Sequence, residues 1–411
     1  MPRTDPHAPI ATAPARERRP ARRAGALASA AVATLLLAAC TTDIQSQAGP
    51  SLTAAGPTTT SGPGPSPVAP TTDTAGVTVA SDATPTDVVT GLEAPWSVVR
   101  LDSGSSFISL RDSGTVVELQ ADGSTRDVAT IDGVVHRGEG GLLGLAVLGG
   151  SPSYLYAYTT TADDNRVVRA PITGEPGSYG LGAQEAVLTG IPKADNHDGG
   201  RLAFGPDGML WITTGDASTT DNAQDPQSLG GKILRVTPTG EAASDNPTAG
   251  SPVYTLGHRN PQGIAFDANG GVWAAEFGQN TFDELNALER GGNYGWPIEE
   301  GPSTDADFRA PVLSWSTKTA SPSGLTAIGS TLFMAGLGGK RLFEIQVPPN
   351  AEATPTELFT GGSSLGRIRD VLPGPDGTLW IVTNNTDGRG TPGAGDDRIV
   401  SVPLTALAPA S

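Results

Sequence analysis

The segment Phe204-Gly205-Pro206-Asp207-Gly208-Met209-Leu210-Trp211-Ile212-Thr213 reads as a tight turn running straight into a strand. Asp-Gly supplies the positive φ of a short hairpin connection. The residues after it are aromatic and β-branched, which suits a pleated, half-buried surface. The unit returns almost unchanged at Pro373-Gly374-Pro375-Asp376-Gly377-Thr378-Leu379-Trp380-Ile381-Val382 and again at Phe266-Asp267-Ala268-Asn269-Gly270-Gly271-Val272-Trp273-Ala274. Weaker copies stand at Leu101 to Ile108, at Ser153 to Tyr158 and at Ile328 to Met334. The copies recur roughly every 45 to 65 residues, the length of a four-stranded blade with long loops. Several are followed by a further strand pattern, as in Lys232 to Val236 and Arg398 to Val402. Six copies predict an all-β chain: a six-bladed β-propeller with four-stranded antiparallel blades. The 54 glycines and 35 prolines argue against long helices.

Outward from the repeats the composition changes. Arg16, Arg18, Arg19, Arg22 and Arg23 precede an apolar run from about Ala24 to Ala39, which ends at Leu37-Ala38-Ala39-Cys40. The run falls short of the ~20 residues of a membrane span. Basic, apolar, then small residues before a cysteine make a secretory signal with a lipobox, similar to a bacterial lipoprotein precursor. Residues 1–39 are expected to be the signal peptide and Cys40 the lipidated first mature residue. That places the protein outside the cytoplasm, anchored to the outer face of a bacterial membrane. Cys40 is the only cysteine, so the mature domain has neither a disulfide nor a haem-attachment pair. Residues 40–81 are rich in Thr, Ser, Pro, Gly and Ala and are expected to form a flexible linker, because they cannot bury enough surface to order themselves. Residues 82–409 are expected to form the propeller. A formal net charge of −17 excludes duplex nucleic acid as a natural partner.

Between the repeats lie segments with chemical character. Gly138-Glu139-Gly140-Gly141-Leu142-Leu143-Gly144 comes first, then Asp195-Asn196-His197-Asp198-Gly199-Gly200-Arg201 and Thr214-Gly215-Asp216. Gly257-His258-Arg259-Asn260-Pro261-Gln262-Gly263, Glu276-Phe277-Gly278-Gln279-Asn280, Asp283-Glu284-Leu285-Asn286 and Gly291-Gly292-Asn293-Tyr294-Gly295-Trp296-Pro297 follow. Gly366-Arg367-Ile368-Arg369-Asp370-Val371 closes the series. Arg367 and Arg369 alternate on a strand-like segment, so both side chains are expected on one face. In propellers the long loops gather at one end of the channel and carry function.

This set, in this order, resembles the soluble PQQ-dependent glucose and aldose sugar dehydrogenases, over nearly the whole of Asp82 to Val402. The resemblance implies bound pyrroloquinoline quinone (PQQ) and Ca²⁺, and oxidation of an aldose or related polyol to its lactone. It implies that His197 is the general base, a role suited to imidazole, and that Asp216 orients it. Arg259 and Asn260 match the pair beside the reactive quinone carbonyl, where a guanidinium stabilises developing negative charge. Glu139, Lys340, Arg367 and Arg369 fall at cofactor-contacting positions; two cations on one face suit a tricarboxylate. Gly278 and Gln279 match backbone ligands of a catalytic calcium, which takes hard oxygen donors. Glu284 and the carbonyl of Tyr294 match a second, structural calcium site. Trp315 stands where an aromatic flanks the sugar. An unknown external acceptor is implied to collect the electrons.

The chain departs from that pattern at two places. Glu139 replaces a glutamine, and a carboxylate facing an anionic cofactor is unfavourable unless protonated, turned toward the sugar or paired, with Arg137 the nearest cation in sequence. The turn Leu337-Gly338-Gly339 lacks an expected basic residue, and Lys340 and Arg341 are displaced from it. Two other classes stay open on sequence: a surface propeller that has lost its cofactor, and a calcium-dependent lactonase, whose metal would be held by several side-chain carboxylates or asparagines.

Overall fold

The computed structural model describes residues 75–349, 352–360 and 365–407. The expected signal peptide, Cys40 and most of the expected linker lie outside the described residues. Within them the chain forms six antiparallel sheets and one short helix, Asp221–Gln224. Blades 1 to 5 take residues 95–130, 142–191, 202–256, 261–316 and 322–358 in turn. Blade 6 combines Ile368–Pro373, Thr378–Thr383 and Ile399–Ala406 with strands from the start of the domain. The first strand of each blade packs against the first strands of its two neighbours, so these six strands close the ring around a channel.

Every repeat picked out in the sequence is the turn between a blade's first and second strands. Phe204 pairs with Leu210 across the Asp207-Gly208 turn, and Pro373 with Leu379 across Asp376-Gly377. The aspartate of the turn also braces the tryptophan that follows: the Trp273 indole donates to Asp267 at 2.7 Å and the Trp211 indole to Asp207 at 3.4 Å. These tryptophans then pack between blades. Each of the six apolar clusters joins adjacent blades, for example Trp211 and Ile233 with Ile264 and Ala274, or Phe333 and Leu342 with Val371 and Ile381. A blade has no core of its own, so stability comes from neighbour–neighbour burial around the closed ring.

The ring closes through the N-terminal segment, which corrects one expectation. Thr86–Val89 and Val77–Val79 pair with successive halves of Ile399–Ala406. The linker therefore ends before Ser81. Val77 and Val79 pack against blade 6, and the Val79 amide donates to Glu344 of blade 5 at 2.9 Å. The physical reason is local: Val77-Thr78-Val79 is a β-branched alternation inside a segment whose average composition is that of a tether.

In an antiparallel blade the first turn lies at one end of the channel. The second connection and the entry from the previous blade lie at the other. The segments around Glu139, His197, Asp216, Arg259, Phe277 and Arg367 belong to the second group, whereas 283–286 lies on the third strand of blade 4 and 291–297 on the loop after it. Five of the six first strands also carry a register shift at this end, at Pro95/Ser97, Leu142/Leu145, Pro261/Gly263, Pro322/Leu325 and Ile368/Asp370. Bulges at a rim re-aim side chains, and here they sit beside Trp96, Gln262, Ser323 and Arg369.

Candidate active site

His197 lies on the entry into blade 3, and Asp216 on the connection after that blade's second strand. Their contact is a 2.7 Å hydrogen bond between Nδ1 and Oδ1. Asp216 is fully buried, while His197 keeps part of its ring exposed to a cavity. Two glycines allow the two loops to meet. A Cβ on Gly215 would stand 1.9 Å from the His197 carbonyl oxygen, and one on Gly199 2.7 Å from the Thr213 carbonyl. The backbone is held in the left-handed region at His197 (φ 63°), Ala217 (φ 52°) and Ser218 (φ 55°). Such conformations cost about 1–3 kcal/mol each and persist only where surrounding contacts enforce them. Those contacts are present: the His197 amide donates to Glu139 at 3.0 Å, the Ala217 amide to the His197 carbonyl at 3.1 Å and the Ser218 amide to Asp216 at 2.7 Å. With Nδ1–H turned to Asp216, Nε2 is left to act on a ligand.

Glu139, Arg259 and Asn260 complete this wall. Burial pushes the Glu139 carboxyl up, but Arg389 and the His197 amide together hold it below the usual range, so it is ionised. Its partner is Arg389, at 3.1 Å, not Arg137, which pairs with Asp195. Asn260 donates to Glu139 at 3.3 Å and accepts from the Gly199 amide at 3.0 Å. The Glu276 carboxylate accepts from the backbone amides of both Arg259 and Asn260 and bonds His258 at 2.8 Å. Arg259 reaches the Phe277 carbonyl at 3.3 Å and leaves a buried Nε without a partner among the described residues.

Two confluent cavities occupy this end of the channel. One, of about 460 Å³, is lined by His197, Asn196, Arg259, Asn260, Gly278 and Gln279. The other, of about 120 Å³, is lined by Trp96, Phe277, Arg111, Arg367, Arg369 and Arg389. Glu139, Phe277, Ser321 and Arg389 border both. Arg367 and Arg369 share one face, although the bulge at Ile368/Asp370 interrupts plain alternation. Asp387 ties to Arg367 at 3.1 Å, and Asn384 and Gln262 accept from Arg369 at 2.8 and 2.9 Å. Burial, with Arg111 and Arg367 close by, pushes Arg369 down to about 9.

Gly278 and Gln279 border the cavity of His197, and neither carbonyl accepts a hydrogen bond among the described residues. Such oxygens fit a hard cation. Glu284 and Tyr294 meet in a separate crevice with Glu276, Glu299 and Glu300. Burial and the neighbouring Glu276 push Glu284 up to about 7.

Two expected residues are not brought to the site. Trp315 sits on the outermost strand of blade 4, Leu313–Ser316, and packs on Phe343 of blade 5 with ring centroids 5.0 Å apart. It borders neither cavity because its strand is the farthest from the channel. Lys340 is exposed at the tip of its turn and also borders neither cavity. The extra cations are Arg111 and Arg389, from the second connections of blades 1 and 6. Sequence reading passed over them, along with Trp96, Phe277 and Asp387. Aspartate–arginine spacing in Asp387-Gly388-Arg389 was a weak signal; Trp96 carried none, since an apolar residue beginning a strand reads as core.

Asp198 follows His197 in sequence and is buried, with Asn165 donating to it at 2.9 Å and its other oxygen unpartnered among the described residues. Burial pushes it up to about 6. The folded state therefore holds this proton more tightly than the unfolded chain. Its contribution to stability is full at low pH and is lost as pH rises through about 6. Asp198→Asn is expected to stabilise the protein at pH 8 by roughly 1–3 kcal/mol and to change little at pH 4. Urea unfolding at the two pH values measures this, and an equal effect at both would contradict it.

The fold and site are those of a closed β-propeller with a histidine–carboxylate pair beside an arginine-rich cavity at one end of its channel. The particular family follows from comparison with known proteins. The glucose / sorbosone dehydrogenase family profile matches residues 92–391, and the chain belongs to that family. A PQQ-bound aldose sugar dehydrogenase from Streptomyces coelicolor is 44% identical and superposes with a TM-score of 0.75, over 80% of this chain and 100% of that one. The aldose sugar dehydrogenase YliI of Escherichia coli is 29% identical over 72% of this chain and 89% of its own length. The quinoprotein glucose dehydrogenase B of Acinetobacter calcoaceticus is 28% identical over 54% of each chain.

Proposed function

We propose that this protein is a PQQ- and calcium-dependent dehydrogenase that oxidises an aldose, or a related polyol, to its lactone. The observation that carries the reading is the convergence of four guanidiniums, from Arg111, Arg367, Arg369 and Arg389, on a cavity faced by Trp96 and Phe277 and open to His197. Aromatic side chains beside a cluster of cations, three of them buried (Arg111, Arg367 and Arg369), suit a planar polyanion. When bound, PQQ would supply a quinone carbonyl carbon that accepts a hydride, and thus two electrons.

The protein's own groups do the rest. His197 Nε2 takes the proton of the anomeric hydroxyl as the C–H bond gives up its hydride and the C=O of the lactone forms. Asp216 holds the tautomer and stabilises the imidazolium. Arg259, with its unpartnered Nε, neutralises negative charge that develops on the acceptor oxygen. The carbonyls of Gly278 and Gln279 would hold calcium, which would supply a Lewis acid, and Glu284 with Tyr294 would hold a second ion. An external acceptor removes the electrons. Lipid on Cys40 would keep the enzyme at the outer face of the membrane, which mass spectrometry of the N-terminal peptide tests. A lactonase fits less well, because it gives no role to Arg367 and Arg369, which border the smaller cavity.

Dye reduction after adding PQQ, Ca²⁺ and a panel of aldoses and polyols tests the proposal; no turnover with any of them, despite bound PQQ, would refute it. Arg367→Ala removes a charged contact to a carboxylate and is expected to weaken PQQ binding by roughly 1.5–3 kcal/mol, with less change in turnover at saturating PQQ. Titration of PQQ absorbance gives the first quantity, and unchanged affinity would remove Arg367 from the cofactor site.

A further inference from the structure

Trp296 belongs to none of the roles assigned so far. It lies on the loop after the third strand of blade 4, yet its indole Nε1 donates to Asp216 Oδ2 at 2.8 Å. Asp216 thus receives three donors: His197 and the Ser218 amide on Oδ1, and Trp296 on Oδ2. The same indole ring lies under the Arg259 guanidinium, 5.6 Å from its centroid. Trp296 is buried and held from both sides. Its amide donates to the Gly257 carbonyl at 3.0 Å, and Gln224 donates to its carbonyl at 2.7 Å. It therefore spans the loop carrying Asp216, the loop carrying Arg259 and its own.

We propose that Trp296 is a positioning residue that sets the basicity of the His197–Asp216 pair and keeps it in register with Arg259. The inference rests on His197 acting as the base. A donor on Oδ2 draws charge from the carboxylate and weakens its hold on a protonated imidazole. Without that donor the carboxylate attracts the imidazolium more strongly, so His197 keeps its proton to higher pH. The other charged groups facing the pair are Glu139, Asp198 and Arg259. Trp296→Phe leaves all three in place and keeps an aromatic face under Arg259.

The first test uses the cofactor-free protein and needs no activity. The imidazole ¹⁵N titration of His197 is expected to move up by about half to one pH unit in Trp296→Phe. An unchanged or lowered midpoint overturns the proposal. A second measurement stands on the parent protein alone, should the variant fold poorly. One of the six indole N–H signals is expected to shift with the same midpoint as the His197 ring, and its absence also overturns the proposal. In the PQQ-loaded enzyme the acid limb of kcat/KM should move up in the variant with PQQ affinity kept. A fixed acid limb beside a weakened PQQ affinity would indicate a merely structural residue. If the parent fails to reduce dye, the functional reading falls, while the two titrations still decide the role of Trp296.

Discussion

His197→Ala is expected to lower the rate of dye reduction by roughly 100-fold or more, the range for removal of a general base, and to leave PQQ affinity nearly unchanged. The separation follows from position. His197 faces the larger cavity through Nε2 and is anchored behind by Asp216 at 2.7 Å. The arginines that would hold the cofactor border the smaller cavity and are anchored to Asp387, Asn384 and Gln262. Truncating the imidazole side chain to a methyl removes the proton acceptor without touching those anchors. The main-chain contacts of residue 197 to Glu139 and Ala217 also survive, since neither uses the side chain. Stopped-flow reduction of bound PQQ by sugar, with an equilibrium titration of PQQ alongside, measures both quantities. Full turnover in the variant would remove His197 from the base role even with the family unchanged.

The second large effect concerns stability. Arg201 precedes the first strand of blade 3, and Asp370 lies on the first strand of blade 6, across the ring. They form a 2.9 Å ion pair with both side chains almost fully buried. Arg201 also donates to the Gln262 carbonyl at 2.9 Å and stacks over Trp96 at 4.2 Å. Blades 1, 3, 4 and 6 thus meet at one guanidinium. Burial pushes Asp370 up and Arg201 pulls it back, so each charge depends on the other. Asp370→Ala strands a buried cation and is expected to cost about 3–5 kcal/mol. The double variant Arg201→Met, Asp370→Leu is expected to recover most of that loss, because it removes both desolvation costs. Urea unfolding of the three proteins measures the difference. A single variant as stable as the parent would mean that water already relieves the pair.

Much of the site was legible because chemistry was concentrated in short glycine-rich segments. His197 with Asp216, Arg259 with Asn260, and Arg367 with Arg369 all reach the same end of the channel. Trp315 failed because strand order within a blade is not written in the strand itself. A tryptophan on the outermost strand and one near the channel have the same sequence surroundings. Lys340 failed because it stands two residues after Gly338, where the basic residue was expected, and there its side chain is exposed.

The Asp-Gly turns and the aromatic strands after them determined the architecture on their own. Hairpin geometry is local, and a strand with no core of its own must be buried by the next blade. The N-terminal basic and apolar segment, the single cysteine and the acidic charge were likewise properties of the chain alone. Tertiary structure decided what closes the ring, where Val77–Val79 joins the last blade, and which cations replace the one missing from Leu337-Gly338-Gly339. It also decided that Glu139 pairs with Arg389, 250 residues away, and that Trp296 serves Asp216, 80 residues away. These are contacts between loops of different blades. Their partners are chosen by the closure of the ring, which no local stretch of sequence encodes.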